Sequence, residues 1–281
     1  MQEVGFVLET RIISERQDLT YLSWSKIRNS SGTAGSFLKA EGIADNHKVY
    51  YKLSNFDSYR GITGHECVNE IIVDRLLTVL GVEHLHYQLI NADILVGDKK
   101  YNTYLCASDD FKEAGDSKLA LDIFYELERL EEENALDFCI RMGWGKYIYE
   151  MLAIDFIILN RDRHGANLEV LRNPKKKTMR IAPLFDHGIS LVFNCGDEEK
   201  VKAFDVLEDR RVQSFIGTQS ARDNLKLIPI DEQPKLKPLM ESHRTVIMNG
   251  MDPILPALWQ GKIWEMIWER WNYYEDFCNK R

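Results

Sequence analysis

Residues 160–172 read NRDRHGANLEVLR and follow directly on the apolar run MLAIDFIIL. The stretch brings Asp162, His164 and Asn167 within six positions. Such residues can form an ordinary turn, because Asp and Asn side chains bond neighbouring backbone groups. The alternative is that Asp162 and Asn167 lie in one pocket and serve a metal ion and a phosphate group. Patterns elsewhere in the chain decide between the two interpretations.

The composition is that of a folded protein without a strong positive field. Of the 281 residues, 44% are hydrophobic and 11% are aromatic, which is enough to fill the core of one large domain or two lobes. Lysine and arginine together number 36, and aspartate and glutamate 44, so the net charge is −8. This acidic balance disfavours contact with a nucleic-acid backbone. We therefore expect no direct binding to nucleic acid.

Cysteine usage and hydropathy indicate a cytoplasmic protein. The five cysteines are an odd number and include no C-x-x-C pair, which argues against a disulfide framework or a zinc ribbon. Charged residues interrupt the first twenty positions, so no apolar signal core is formed there. No charge-free apolar run reaches the roughly 18 residues that a membrane span needs. We expect reduced thiols and no membrane contact.

Residues 21 to about 107 have the pattern of a strand-rich lobe. Short segments rich in β-branched and aromatic residues are separated by turn residues: YLSWSKIR, SFLKAEG, KVYYKL, HLHYQLINADILV and KYNTYLCAS. One helix interrupts them. It begins near Gly64, carries apolar residues at helical spacing and stops at Gly81.

Helical patterns dominate from about Phe111. LALDIFYELERLEEENALDFCIRMG and WGKYIYEMLAIDFIILN are long and periodic enough for helices, the hairpin LEVLRNPKKKTMRIAPL follows, and residues from about 201 onward are expected to form further helix. We therefore predict an α+β fold with two lobes. Residues 1–110 would form the strand-rich lobe and residues 111–281 the helix-rich lobe, with CASDDF as the connector.

Two other patterns have both a functional and a structural interpretation, and we favour the structural one. Trp264, Trp268 and Trp271 lie on one face of a helix and could bind a partner, but a terminal helix packing on its own core explains them as well. His84 and His86 have the H-x-H spacing of metal ligands, but the sequence offers no evident third ligand.

A second acid completes the candidate site. IAPLFDHGISL contains Asp186 on a tight turn after an apolar strand. Because Mg²⁺ prefers carboxylate and amide oxygens and keeps phosphate oxygens as further ligands, Asn167 and Asp186 are candidate metal ligands. Asp162 would orient the acceptor hydroxyl and accept its proton. Asp155, in the preceding apolar run, is expected to bond the backbone of the following loop instead.

The first lobe contains the phosphate-contacting parts that such a site requires. NSSGTAGSFLKAEG is a Gly- and Ser-rich turn able to lay backbone N–H groups over phosphates, although it is neither a Walker A loop nor a full G-x-G-x-x-G. VYYKL contains Lys52, and Glu66 and Glu70 lie on one helix face, where either could pair with that lysine. Lysine, helix glutamate, D-x-x-x-x-N and D-x-G occur in the order found in protein kinases.

NRDRHGAN together with APLFDHGISL resembles the HipA-like serine/threonine kinases. Their catalytic loop reads N-x-D-x-H-x-x-N, and their metal-binding aspartate follows P-L-(F/Y)-D. The D-R-H-x-x-N stretch is also similar to that of the phosphoinositide kinases. The resemblance covers about residues 30–191. It implies a protein-kinase-like fold, ATP and Mg²⁺ as cofactors, a serine or threonine of a protein as acceptor, and a toxin-like role with an antitoxin-like protein partner.

The resemblance also implies roles for individual residues. Asp162 would be the catalytic base, Asn167 and Asp186 the magnesium ligands, and His164 would either stabilise the transferring phosphate or support the loop. The family pattern of N-E before a helix ending in L-G favours Glu70 over Glu66. Contacts to the nucleotide are implied for Ser30, Ser31, Gly32, Gly35, Lys52, Glu70, Ala107 and Asp109.

Two features of the HipA-like family concern the first residues of the chain. HipA carries an extra N-terminal subdomain, whereas 29 residues precede Ser30 here, so we expect a short form whose missing piece a partner could supply. Members phosphorylate a serine of the nucleotide loop. We expect Ser30 or Ser31, rather than Ser36, to accept phosphate, and the added charge of about −1.5 to −2 to inactivate the protein by repelling ATP.

Two alternative functions use the same residues. A kinase of a small molecule or lipid headgroup needs the same nucleotide site, but the acidic net charge and the lack of a basic stripe disfavour a lipid surface. A nucleotide-binding pseudokinase is the second alternative. The presence of the required residue type at every catalytic position disfavours it.

Overall fold

The computed structural model describes residues 11–27, 34–44 and 47–280. The first part of the chain builds a sheet and one long helix. In chain order its elements are β1 (Ile12–Asp18), β2 (Ser25–Ile27), β3 (Ala34–Ala44), β4 (His47–Lys52), β5 (Phe56–Asp57), β6 (Gly61–Ile62), α1 (Glu66–Leu80), β7 (Gln88–Val96) and β8 (Lys99–Asp109). Six strands form one sheet in the order β1-β7-β8-β4-β3-β2, and β5 pairs with β6.

Helix α1 is the central element between the sheet and the second part of the chain. All of its residues except Thr78 are buried. The helix ends at Gly81, whose φ of 75° is left-handed and whose N–H reaches the carbonyls of Leu77 and Thr78. The predicted helix and its glycine stop are therefore confirmed. Its burial on all sides explains how its polar residues can reach both parts of the fold.

The second part of the chain is mainly helical. Its elements are β9 (Ser117–Ala120), α2 (Leu121–Glu128), α3 (Ala135–Arg141), α4 (Gly145–Ile157), β10 (Asp162–Arg163), β11 (Glu169–Asn173), β12 (Thr178–Ile181), α5 (Glu198–Lys202), β13 (Gln213–Ser214), α6 (Ala221–Asn224), α7 (His243–Ile247) and α8 (Ala257–Asn279). Short 3₁₀ turns span Gly165–Asn167, Leu225–Leu227 and Ile230–Glu232. Strand β11 pairs antiparallel with both β9 and β12, so the predicted hairpin is present. A mixed α+β architecture is thus confirmed.

Three expectations from the sequence need correction. Strand β1 was not predicted, because IISERQD is mostly polar, yet it pairs in parallel with β7. The segment from 119 to 143 is not all helix, since it begins in β9 and is divided between α2 and α3. Most of residues 203–256 are irregular rather than helical. Prolines interrupt helices, and five occur in this stretch: Pro229, Pro234, Pro238, Pro253 and Pro256.

The tryptophan stripe of α8 belongs to the core. Trp264 and Trp271 are buried, and Trp268 packs against the same cluster. The rings of Trp264 and Trp268 stack with centroids 5.8 Å apart. Core packing, the interpretation we favoured, therefore explains the stripe. Within the described part of the chain, no helix is both long and apolar enough to cross a lipid bilayer.

Candidate active site

Lys52 joins the sheet, helix α1 and the acidic turn at Asp186. Its Nζ lies 2.9 Å from Glu70 Oε1 and 2.5 Å from Asp186 Oδ1. Glu66, the alternative partner, instead accepts a hydrogen bond from the backbone N–H of Asn55 at 3.0 Å. Of the two glutamates that the sequence left open, it is therefore Glu70 that contacts Lys52.

The environment keeps Lys52 charged. Burial disfavours its ammonium form, but the carboxylates of Asp186 and Glu70 outweigh that effect and raise the pKa of Lys52 well above its ordinary value. Burial also raises the pKa of Glu70, which is fully buried. Because two carboxylates contact the Lys52 ammonium, this group can also bind an incoming anion such as a phosphate while one carboxylate still balances its positive charge.

A second lysine faces the same turn. Lys39 of β3 is the cross-strand neighbour of Lys52 in β4, and its Nζ lies 3.9 Å from Asp186 Oδ2. Like charges directly opposite each other destabilise a sheet unless an anion lies near both. Asp186 is such an anion. Lys39 could not be predicted as a site residue from the sequence, because its position beside Lys52 depends on strand register.

Helix α1 holds the acidic turn in a strained conformation. Asp186 has a φ of 58°, in the left-handed region that is uncommon for residues other than glycine. The N–H of His187 donates to Glu70 Oε2 at 2.8 Å, and Asn69 Nδ2 donates to the carbonyl of Gly188 at 3.0 Å. Strained residues held by surrounding hydrogen bonds are typical of functional sites.

Close packing restricts the two residues that follow Asp186. A Cβ atom at Gly188 would lie 3.1 Å from Glu66 Cβ and 3.2 Å from both Glu66 O and Glu70 Oε1. The ring of His187 is buried, and burial lowers its pKa well below the ordinary value, so the ring is neutral. The glycine is therefore required by its contact with α1.

The loop at residues 160–167 orients Asn167 against Asp162. The Nδ2 of Asn167 donates to the backbone carbonyl of Asp162 at 2.8 Å. Asn167 is buried, whereas the side chain of Asp162 is partly exposed. The Nε2 of His164 lies 3.6 Å from Asp162 Oδ1. The structure thus brings these three predicted site residues together in one loop.

A buried ion pair fixes this loop. Arg163 donates to both carboxylate oxygens of Asp155, with two distances of 2.9 Å. Its Nη1 also donates to the carbonyl of Phe185 at 2.9 Å and to that of Asn167 at 3.3 Å. Asp155 further accepts from the side chain of Asn160 at 2.9 Å. The expectation that Asp155 bonds the loop backbone was wrong, because Arg163 turns into the core and meets it side chain to side chain.

A cavity of about 470 Å³ opens beside Lys52. Its lining includes Lys39, Lys52, Leu85, Tyr87, Cys106, Ser108, Asp109, Asp110, Phe111, Phe185 and Asp186. The rings of Phe111 and Phe185 lie 5.6 Å apart. Asp109 borders the cavity, whereas Ala107 is buried in the sheet and is not among the lining residues. The volume is in the range that binds small-molecule ligands.

Asp162 borders a second cavity, of about 580 Å³. Arg161 and Phe193 line it together with the exposed residues Arg211, Gln213 and Gln219. The side chain of Asp162 therefore faces a surface groove, and this groove has a lining different from that of the cavity beside Lys52.

The described residues contain only part of the predicted nucleotide loop. Ser30, Ser31 and Gly32 lie outside the described residues. Gly35 belongs to strand β3, which begins at Ala34. A phosphate-binding role for this loop stays a prediction.

No protein-family model matches the sequence, and no curated protein matches it. Among solved structures, the Helicobacter pylori proinflammatory kinase CtkA is similar, with a TM-score of 0.65 and 16% sequence identity over 94% of this chain and 98% of that one. A structure of the Shewanella oneidensis MR-1 toxin–antitoxin complex of HipA, HipB and operator DNA matches with a TM-score of 0.48 and 14% identity, over 91% of this chain and 67% of that one. At such low identity the likeness to CtkA concerns the fold alone. The chain has a mixed α+β, kinase-like fold similar to that of CtkA, in agreement with the fold class predicted from the sequence.

Proposed function

We propose that this protein is an ATP- and Mg²⁺-dependent kinase of HipA-like type that phosphorylates a serine or threonine of a protein. The contact of Lys52 with both Glu70 and Asp186 is the observation that supports the proposal most strongly. Protein kinases bring a strand lysine, a helix glutamate and a metal-binding aspartate together at the ATP phosphates. The kinase-like fold adds independent support.

ATP would bind in the cavity beside Lys52. The triphosphate would take Lys52 and Lys39 as partners in place of Asp186, which both lysines now face. The adenine would lie towards Phe111 and Phe185, whose rings border the same cavity. Aromatic rings near a base and ammonium groups near phosphates make the cavity chemically suited to a nucleotide.

The donor atoms fit Mg²⁺. Asp186 offers a carboxylate and Asn167 an amide, which are hard oxygen ligands. The amide nitrogen of Asn167 already donates to the carbonyl of Asp162, so its oxygen would be the ligating atom. When bound there, Mg²⁺ would neutralise charge on the phosphate oxygens of ATP.

Asp162 would hold the acceptor hydroxyl in the groove that it borders. In the reaction, the acceptor oxygen forms a bond to the γ-phosphorus while the bond between that phosphorus and the β,γ-bridging oxygen breaks and ADP leaves. The hydroxyl proton passes to the carboxylate of Asp162. His164, with Nε2 3.6 Å from Asp162 Oδ1, would position that carboxylate. Such positioning supplies most of the catalysis in phosphoryl transfer.

The surface groove at Asp162 supports a protein as the acceptor. The exposed residues Arg211, Gln213 and Gln219 border it and offer hydrogen-bonding groups to an extended segment. An antitoxin-like partner and a toxin-like role rest on the sequence resemblance and are part of the same proposal. Inactivating autophosphorylation at Ser30 or Ser31 is a further part, which intact-mass measurement after incubation with Mg-ATP tests.

The experiment is phosphoryl transfer from γ-labelled ATP to proteins of a cell lysate, with labelled residues mapped by mass spectrometry. The parent should label serine or threonine, and Asp162→Asn should lower turnover by about 10²-fold or more while still binding ATP. Asp98→Asn is the matched control, because Asp98 is exposed in the turn between β7 and β8. Transfer only to small molecules would favour the alternative acceptor. A folded parent that transfers no phosphate to any acceptor would contradict the proposed function.

A further inference from the structure

A second cluster of potential metal ligands lies at the C-terminal half of α1, apart from Asn167 and Asp186. The Oδ1 of Asp74 lies 2.9 Å from His84 Nε2 and 3.0 Å from His86 Nδ1. All three ligand atoms lie within 4.8 Å of one another. The sequence offered no third ligand for the H-x-H pair, and the fold supplies Asp74 from the preceding helix.

The hydrogen bonds of His84 direct its Nε2 at the carboxylate of Asp74. Its Nδ1 lies 2.7 Å from the carbonyl of Val82. A carbonyl can only accept, so Nδ1 carries the hydrogen atom. In a neutral ring, Nε2 would then direct its lone pair at the carboxylate of Asp74 from 2.9 Å, which is a repulsive contact. A metal ion between Nε2 and Oδ1 would remove this repulsion.

The surroundings of the cluster resemble those of metal sites. An Nδ1–H bond to a backbone carbonyl is the arrangement that orients metal-ligating histidines, and His84 makes it with Val82. The other carboxylate oxygen of Asp74, Oδ2, accepts a hydrogen bond from the backbone N–H of Tyr87 at 2.8 Å. This bond orients the carboxylate so that Oδ1 faces both imidazoles. The Arg11 guanidinium contacts Asp74 Oδ2 at 3.5 Å, and not the Oδ1 that faces the imidazoles.

The cluster is buried except on the side of His86, where it is open to solvent. The side chains of Asp74 and His84 are buried, whereas that of His86 is 52% exposed. Two imidazole nitrogens and one carboxylate oxygen with solvent access form a three-ligand set that suits Zn²⁺, with water as the fourth ligand. Tetrahedral ligands at about 2.0 Å from zinc lie roughly 3.3 Å apart, so the oxygen–nitrogen distances of 2.9 and 3.0 Å would lengthen slightly and the two imidazole nitrogens, which lie within 4.8 Å of each other, would shift to that spacing. The exposed His86 ring can make that shift.

We propose that Asp74, His84 and His86 bind one Zn²⁺ or a similar first-row transition-metal ion, at a site separate from the Mg²⁺ site. Tyr87 connects the two sites, because its N–H bonds Asp74 and its hydroxyl accepts from the backbone N–H of Asp186 at 3.2 Å. The bound ion would therefore stabilise a segment that lines the nucleotide cavity. The proposal does not depend on kinase activity.

Cobalt provides the test, because Co²⁺ with nitrogen ligands in a site of low coordination absorbs visible light. Full-length protein without a polyhistidine tag would be freed of metal with a chelator and titrated with Co²⁺ in excess Mg²⁺. We expect one Co²⁺ per chain and its displacement by Zn²⁺. His86→Ala and His86→Gln should each weaken binding by about tenfold or more, since they remove a ligand from the exposed side without opening the core.

Two controls separate this site from others. His47→Ala should bind Co²⁺ like the parent, because His47 is exposed at the start of β4. Asp186→Asn should also retain the Co²⁺ site. The proposal is overturned if the parent binds no stoichiometric Co²⁺. It is equally overturned if both His86 variants bind as tightly as the parent, or if Asp186→Asn abolishes binding.

Discussion

Lys52 Nζ and Asp186 Oδ1 lie 2.5 Å apart although 134 residues separate them in the chain. One belongs to a strand of the six-stranded sheet, and the other to a turn of the mainly helical part. Their contact joins the two parts where the nucleotide cavity opens.

Replacement of Lys52 should affect both ATP binding and stability. Lys52→Ala removes the cation that balances the fully buried Glu70, and loss of one member of a buried ion pair costs about 3–5 kcal/mol. ATP affinity should fall as well. Chemical denaturation and calorimetric titration measure the two effects. Equal stability and equal ATP affinity in parent and variant would refute the assignment.

The stability loss in Lys52→Ala should depend on pH. Burial raises the pKa of Glu70, so its carboxylate binds a proton more readily in the folded than in the unfolded state. A group whose pKa is raised on folding stabilises the folded state at low pH, and that stabilisation is lost as the pH rises through the folded-state pKa. The penalty should therefore be smaller at about pH 5 than at about pH 8. Adding Glu70→Gln should remove most of the difference, and a penalty independent of pH would contradict this explanation.

Lys39→Ala should weaken ATP binding without the same loss of stability. Lys39 is partly exposed and its Nζ lies 3.9 Å from Asp186, so this ion pair adds little to stability. Loss of a phosphate partner should reduce ATP affinity by about tenfold, which corresponds to about 1.4 kcal/mol. Lys99→Ala is the control, because Lys99 is an exposed lysine of β8. If the two variants bind ATP equally well, Lys39 has no role at the phosphates.

Gly188→Ala should reduce phosphoryl transfer more than it reduces stability. The new methyl group would press on the backbone of Glu66 and on the carboxylate of Glu70, at 3.2 Å from each. The turn at Asp186 would have to move away from α1 as a result. Gly196→Ala is the control, because a Cβ there meets nothing within 4 Å. Parent-like kinetics in Gly188→Ala would show that the close contact is not needed.

Acid should destabilise the protein through His65. Burial lowers the pKa of this histidine from 6.5 to about 4. Its stabilising contribution is therefore complete above about pH 6.5 and is lost as the pH falls towards 4, with a slope of at most about 1.4 kcal/mol per pH unit. His65→Gln should show a shallower loss than the parent over this range in denaturation experiments. His47→Gln, at an exposed position, should match the parent.

Motifs that are local in sequence could be predicted, and positions set by tertiary contacts could not. Asp162, Asn167 and Asp186 lie in short stretches whose residue types and spacing indicate their chemistry. Lys39 became visible only through the register of β3 with β4. The role of Arg163 depends on its complete burial against Asp155, which is unusual for arginine.

Helix α1 illustrates the same limit. Its periodicity and glycine stop predicted its length, and the family pattern favoured Glu70. The sequence could not show that Asn69 bonds the turn after Asp186, or that Asp74 meets two histidines. Both contacts depend on how the helix is rotated between the two parts of the fold. Strand β1 was missed because its sequence is mostly polar and its partner β7 lies about 75 positions further along the chain.

The most direct test of the central claim is a crystal structure with Mn²⁺ and a non-hydrolysable ATP analogue, in which anomalous scattering locates the metal. We predict Mn²⁺ at Asn167 and Asp186, phosphate oxygens at Lys52, and adenine between the connector and Phe185. Nucleotide bound elsewhere would contradict the account. So would an empty cavity in crystals grown at an analogue concentration that saturates binding in solution.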